Sequence, residues 1–341
     1  MIAEPERPWD EPGAVAVAPG VHRIPLPLHD ESLHAVNVYV LEGEDGLTLI
    51  DSGEAGTASA SALAAALRQL GHGLEDVRDV LVTHVHRDHY TLAVALRQEF
   101  GTAVHLGRSE EASLRLSADA TRHSLATQFA MIAECGAADL AVEIARDDEP
   151  LPASAWEDPD VWLDEGQLKV GARLLDAIAT PGHTRGHLVF RDEAGGLLFA
   201  GDHVLPHITP SVGLEPASVS LPLRDYIHSL RLVRALPDTQ LLPAHGQVSP
   251  SVHDRVDDLL RHHEARLEAI ARLVHGEHST AHDVATRLTW TRRKSNLDQL
   301  SRFNRMLATL ETKAHLDVLA AQGLLHTQLD HDRVRLYWTE P

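Results

Sequence analysis

Apolar residues recur along this chain in short alternating runs and in longer stretches at helical spacing. Segments 21–27, 36–42 and 46–51 read as short strands, the last two joined by turn-forming glycines and acids. Leu63, Leu67 and Leu70 share one face of an alanine-rich helix over 54–70, which Gly71 ends. An apolar strand at 79–83, a helix at 91–100 and a strand at 103–106 follow. This order predicts an α/β layered domain. Residues 108–160 break the rhythm and read as a helical insertion beside the rest. Strands return at 161–163, 168–170, 173–179, 187–191 and 196–200. A loop at 204–222, a helix at 224–236 and a strand at 239–242 come next.

Val256, Leu259, Leu260, Leu267, Ile270 and Leu273 line one side of a long helix over 252–275. Helices near 280–288, 297–308 and 311–322 lead to an alternating tail that reads as a hairpin. Helices followed by a hairpin suggest a winged-helix-like module. The expected organisation is an N-terminal arm (1–20), a main domain (21–250), a linking helix (251–276) and a small C-terminal domain (277–341).

The formal net charge is −20, and it is uneven. Residues 277–341 hold 9 Lys/Arg against 8 Asp/Glu, so the acidity lies in residues 1–276. Such a surface repels phosphate backbones and anionic membranes. No run approaches the roughly 18 apolar residues that a membrane-spanning helix needs. The acidic, proline-rich start shows no secretory signal. Cys135 is the only cysteine, which excludes internal disulfides and fits a reducing cytoplasm. A buried, unreactive place is expected for it.

The candidate chemistry sits in four places. His84-Val85-His86-Arg87-Asp88-His89 follows one strand directly, and His183, Asp202 and His245 each follow another. Loops at one end of a sheet converge, so these groups can meet. Neutral imidazoles and carboxylates suit zinc and similar divalent metals. His84 and His86, two apart in extended chain, face the same way and can grip one ion. Asp88 and His89 can face a second ion. His183 would complete one set, His245 the other, and Asp202 could bridge them. A water shared by two such ions becomes a nucleophile near neutral pH. Of the other histidines among the chain's 24, His262 and His263 are expected in solvent, and His105 and His123 away from the site. Arg292, Arg293 and Lys294 read as a solvated face.

The motifs HVHRDH, TPGHTRGH, AGDH and LLPAHG, in that order, resemble the metallo-β-lactamase-fold hydrolase superfamily. The early strand ending at Asp51 matches too, and the resemblance covers roughly residues 20–250. The glyoxalase II-like and β-lactamase-like-protein-2 branch fits best, and a C-terminal winged-helix segment also occurs there. The resemblance implies an αββα sandwich, here with the 108–160 insertion and the winged-helix-like domain. It implies that His84, His86 and His183 bind one metal, that Asp88, His89 and His245 bind a second, and that Asp202 bridges. Asp51 occupies the usual structural position. Two ions, zinc foremost with manganese or iron as alternatives, are expected.

Departures from the pattern bear on substrate choice. Tyr90-Thr91-Leu92 replaces the usual glycines, so Tyr90 is expected to line the pocket. His203 beside Asp202 is expected to support the ligands from behind or to be simply structural, with a substrate contact as the alternative. The basic residues that hold glutathione in glyoxalase II enzymes are not recognisable.

The leading expectation is hydrolysis of an ester-like bond, in a thioester or lactone, by a metal-bridging hydroxide that Asp88 orients. Phe129, Met131 and Ile132 could form an apolar lid or serve as scaffold. A phosphodiester nuclease of the same fold is the second reading, against which the acidity stands. A regulatory protein that binds nucleic acid through its winged helix is the third, and its near-neutral C-terminal segment gives little electrostatic grip. A β-lactamase role and a one-metal sulfur dioxygenase fit less well. A small-molecule substrate, no membrane, little role for nucleic acid and a homodimer are expected, in the cytoplasm.

Overall fold

The computed structural model describes residues 8–28, 33–146, 151–274, 278–291 and 294–340. Among them, a seven-stranded sheet runs in sequence order through β1 (Val15–Ala18), β2 (Val21–Pro27), β3 (Ala35–Gly43), β4 (Gly46–Ile50), β5 (Val77–Val82), β6 (Ala103–Gly107) and β7 (Val161–Leu163). A five-stranded sheet contains β8 (Gly166–Val170), β9 (Arg173–Ala179), β10 (Leu188–Asp192), β11 (Leu197–Gly201) and β12 (Gln240–Pro243). Pairing is antiparallel except β4 with β5, β5 with β6, β6 with β7, and β11 with β12. A hairpin of β13 (His326–Leu329) and β14 (Arg335–Trp338) forms a separate two-stranded sheet.

The helices are α1 (Thr57–Gln69), α2 (Arg87–Phe100), α3 (Glu111–Ala118), α4 (Ala126–Glu134), α5 (Ala138–Ile144), α6 (Pro222–Ala235), α7 (Val252–Leu273), α8 (Ala281–Arg287) and α9 (Arg302–Ala321). No described helix is long and apolar enough to cross a membrane.

Three apolar layers explain the stacking. Tyr39, Leu41, Ile50 and Leu81 of the first sheet meet Leu175, Phe190, Phe199 and Leu242 of the second. The other face of the first sheet packs Val38, Val40 and Val80 against Leu63 and Leu67 of α1 and Leu96 of α2. The other face of the second packs Val189, Leu198 and Leu241 against Leu230 of α6 and Val256 and Leu259 of α7. Both sheets are therefore covered on both faces, which is the αββα sandwich.

Several expectations change. The N-terminal stretch contributes β1, which pairs with β2 at the sheet edge, so at least residues 15–18 are not a loose arm. Residues 1–7 lie outside the described residues. The helices expected at 297–308 and 311–322 are one helix, α9, preceded by a short turn at Leu297–Gln299. Alanines, leucines and Thr309 and Thr312 keep its buried face continuous, and no breaker interrupts it. The expected solvated run loses Arg292 and Arg293, which lie outside the described residues.

The insertion is helical, as expected, but it does not hang free. Ile132, Leu140, Ala141 and Ile144 share a core with Met306 and Leu310 of α9. Phe129 and Met131 pack against the same core. These side chains bind α4 and α5 to the C-terminal helix, and scaffold is the better description than lid.

His263 is a further correction. It lies on α7 but is 1% exposed, with its ring stacked on His315 of α9. Its helix is polar on average, yet this position faces Tyr226 and α9. His262, one residue earlier, does lie exposed. His105 pairs with Asp79 and His123 packs on Phe129. Cys135 is buried, and burial pushes its thiol up to about 12.

Candidate metal centre

Four strand ends supply the site. β5 runs through buried Val80, Leu81 and Val82 and leaves the sheet at Thr83. His84 and His86 follow, and His86 caps α2, so Asp88 and His89 occupy that helix's first turn. They are helical rather than in a loop, and a carboxylate is favoured there by the helix dipole. β9 ends before His183, β11 before Asp202 and β12 before His245.

The loop at His183 depends on a close approach. Gly182 has φ +140°, and a Cβ there would lie 2.4 Å from Cα of Tyr226. Only glycine permits that backbone and that contact.

Three imidazoles converge on one point. Nε2 of His84 lies 3.0 Å from Nδ1 of His86 and 3.2 Å from Nε2 of His183, which is 3.0 Å from Nδ1 of His86. Tetrahedral ligands on zinc would stand about 3.3 Å apart. Oδ2 of Asp202 lies 3.5 Å from Nε2 of His183. Beside them, Nε2 of His245 lies 3.3 Å from Oδ2 of Asp88, and Nε2 of His89 lies 3.4 Å from the same oxygen. Oδ1 of Asp202 is 3.3 Å from Nε2 of His245 and 3.7 Å from Nε2 of His89. The ligand-like atoms thus form two groups, and Asp202 turns one oxygen to each.

The same atoms lack other occupation. Nε2 of His89, Nε2 of His245 and Oδ1 of Asp202 are buried without a hydrogen-bond partner. Buried polar atoms left unpaired are costly unless a ligand satisfies them. The donor set, with nitrogens and carboxylates aimed inward, fits divalent cations.

The outward-facing nitrogens of His84, His89, His183 and His245 are fixed, while Nε2 of His86, which meets the centre through Nδ1, is buried without a partner. His84 Nδ1–H donates to Thr83 Oγ1 at 3.0 Å, and that hydroxyl donates to Asp51. His89 Nδ1–H donates to Asp51 at 2.9 Å. His183 Nδ1–H donates to the Ser211 carbonyl and His245 Nδ1–H to the Ala35 carbonyl, both at 2.8 Å. Each bond leaves Nε2 as a lone pair facing the centre.

Electrostatics divides the two groups. Burial, and then neighbouring histidines, holds His84 well below its ordinary value; burial and His183 hold His86 at about 3. Burial likewise holds His183 at about 4. These rings are neutral, as metal ligands must be. Burial would also lower His89 and His245, but Asp88, Asp202 and, for His89, Asp51 outweigh it and raise both. Burial would raise Asp88, yet His89 and His245 hold it well below the carboxylate range. In the second group an ionised Asp88 therefore faces imidazoles that favour their protons, and a bound cation would take the place of those protons.

The structure brings together His84, His86, Asp88, His89, His183, Asp202 and His245, with Asp51 directly behind. Two expected neighbours behave differently. Tyr90 is fully buried in the core, and its hydroxyl donates to the Glu157 carbonyl, so it turns away from the centre. Position 90 is on the buried face of α2, which the motif comparison could not show. His203 is buried against Tyr226 with both ring nitrogens unpaired, so it does not hydrogen-bond Asp202.

That role falls to His187, which sequence reasoning passed over. Its Nε2 accepts from the Asp202 amide at 3.1 Å, and Thr180 Oγ1 meets its Nδ1 at 2.9 Å. The signal was present as the second histidine of TPGHTRGH.

Fold and donor set together define a metal-dependent hydrolase built on two sandwiched sheets. The family model described as metallo-beta-lactamase superfamily matches residues 32–245, and the chain belongs to that superfamily. It is 27% identical over 308 residues to the Bacillus subtilis protein named probable metallo-hydrolase YqjP, covering 88% of this chain and 91% of that one. It is 33% identical over 129 residues to a beta-lactamase-like protein 2 homolog of Caenorhabditis elegans, covering 37% and 41%. A metallo-beta-lactamase family protein of Thermus thermophilus superposes with a TM-score of 0.79 at 29% identity, covering 95% of this chain and all of that one. A beta-lactamase domain protein of Burkholderia ambifaria gives 0.79 at 28%, covering 96% and 94%.

Proposed function

We propose that this hydrolase cleaves an ester-like bond, a thioester or lactone, in a small acyl substrate. The observation that carries the reading is Asp202, with one oxygen 3.5 Å from His183 and the other 3.3 Å from His245. That geometry suits two cations at once, zinc foremost. His84, His86 and His183 would hold the first, Asp88, His89 and His245 the second, with Asp202 between. Bound cations would lower the pKa of water and polarise a carbonyl.

The chain's own groups do the rest. Asp88, with its side chain 16% exposed, is open to an incoming substrate. It orients the attacking water and accepts its proton. Asp51, Thr83, Ser211 and Ala35 fix the imidazoles, so little reorganisation accompanies reaction. The −20 net charge favours small acyl substrates over polyanions such as RNA. The segment after residue 277 reads as a winged-helix-like scaffold, in a cytoplasmic protein that forms a homodimer.

The test is a panel of acyl-CoA thioesters, lactones and single-stranded RNA on zinc- and manganese-loaded protein. Thioester or lactone cleavage that disappears in His84→Ala supports the reading. Cleavage that survives His84→Ala overturns the site. One iron per chain with oxygen consumption overturns the reaction class.

A further inference from the structure

Behind the three-histidine group lie two carboxyl groups with no part in the reaction above. Glu110 is fully buried and Glu215 is 6% exposed. Thr184, the residue after His183, donates its hydroxyl to Glu110. The amide of Val85, between His84 and His86, also faces Glu110. One carboxyl thus touches both segments that supply the three histidines.

Glu215 grips the same loop one residue further on. It accepts from Arg185 Nε at 2.6 Å and from the Arg185 amide at 3.2 Å. Ser113 of α3 donates to it at 2.9 Å. Arg185 also reaches the carbonyls of Ala217 and Ser218, each at 2.8 Å. Buried Gln128 of α4 donates to the Glu215 carbonyl at 2.8 Å. The segment so held begins near Ser211, whose carbonyl orients the His183 ring. His183 is therefore held from its own loop and from its hydrogen-bond acceptor.

The spacing is tight. A Cβ on Gly186 would lie 2.4 Å from the Glu110 amide nitrogen. Of the two buried carboxyls, Glu215 pairs with the Arg185 guanidinium and Glu110 with the Thr184 hydroxyl. Apolar residues of similar volume would fill such a space at lower cost. What carboxyls add is directional hydrogen bonds to the loop.

We propose that Glu110 and Glu215 are positioning residues that set the three-histidine group for its cation. This rests on the metal reading given under the proposed function. They touch no ligand atom. They act through Thr184, Arg185 and the 211–218 segment.

The experiment is cobalt titration of the metal-stripped full chain against a competing chelator, with the unfolding midpoint followed in parallel. Wild type should show two uptake steps. Glu215→Leu and Thr184→Val should weaken one step by about 10–100-fold and leave the other in place, the range seen when supporting partners are removed. Glu110→Gln, which keeps the acceptor, should stay close to wild type. Thr184→Val keeps the volume, so it decides the matter where the leucine variant fails to fold. The inference is overturned if neither step moves in a folded variant, or if both move together. Absence of uptake by the wild-type chain would instead overturn the metal reading, and this inference with it.

Discussion

Asp51 accepts a hydrogen bond from Nδ1 of His89 at 2.9 Å, and the same carboxylate receives the Thr83 hydroxyl that orients His84. One residue therefore steers a ligand in each group. Its own backbone sits at φ 60°, which Asp and Asn tolerate better than most residues. Asp51→Asn keeps that backbone but removes the charge. Metal affinity at both groups should fall by about 10–100-fold. Stepwise cobalt binding checks this, and loss confined to one step would contradict it.

Gly182 tests the close approach that sets the His183 loop. Gly182→Ala places a Cβ 2.4 Å from Tyr226 at φ +140°. Overpacking and backbone strain together should destabilise the fold on the order of 3 kcal/mol. Urea unfolding measures it, and a change within error would show that the loop yields easily.

Leu310 tests the insertion as scaffold. It is 1% exposed, in the core that α4 and α5 share with α9. Leu310→Ala should cost about 2–5 kcal/mol, as large-to-small core changes do. Hydrogen exchange should speed up in α4 and α5 together with α9. Faster exchange in α9 alone would mean that the insertion is not bound to it.

The stacked pair of His263 and His315 makes stability depend on pH. Burial foremost holds His315 at about 3 and His263 well below its ordinary value, with His262 and Arg266 adding to the effect on both. Unfolded, each would take a proton near pH 6.5. The unfolded state thus binds more protons below that pH. Stability is full above about 6.5 and falls by about 1.4 kcal/mol per pH unit per histidine as pH drops toward 3. The pair lies outside the metal groups, so the effect should persist in metal-loaded protein. Midpoints at pH 7.5 and 5 should fall less in His315→Gln than in wild type. Equal falls would assign the acid sensitivity elsewhere.

Much of the centre was legible because its spacing is local. His84 and His86 are two apart in extended chain, and Asp88 and His89 continue into a helix turn, so one short run brings four donors. Tyr90 was misread for a physical reason. Being next to ligands in sequence says nothing about which face of α2 a residue takes, and position 90 falls on the buried one. His263 was misread similarly, because a charged helix can still bury one face against a second helix.

The chain's own pattern determined the layered α/β class, the strand ends that carry donors, the seven inward residues and the family they resemble. These follow from hydrophobic periodicity and short-range spacing, which the sequence displays directly. Tertiary structure alone decided what lies behind the centre. Glu110, Glu215, Arg185 and Gln128 come from separate segments, and the insertion meets α9 across a distance of more than 150 positions. Such contacts depend on how whole elements pack, and no local spacing records them.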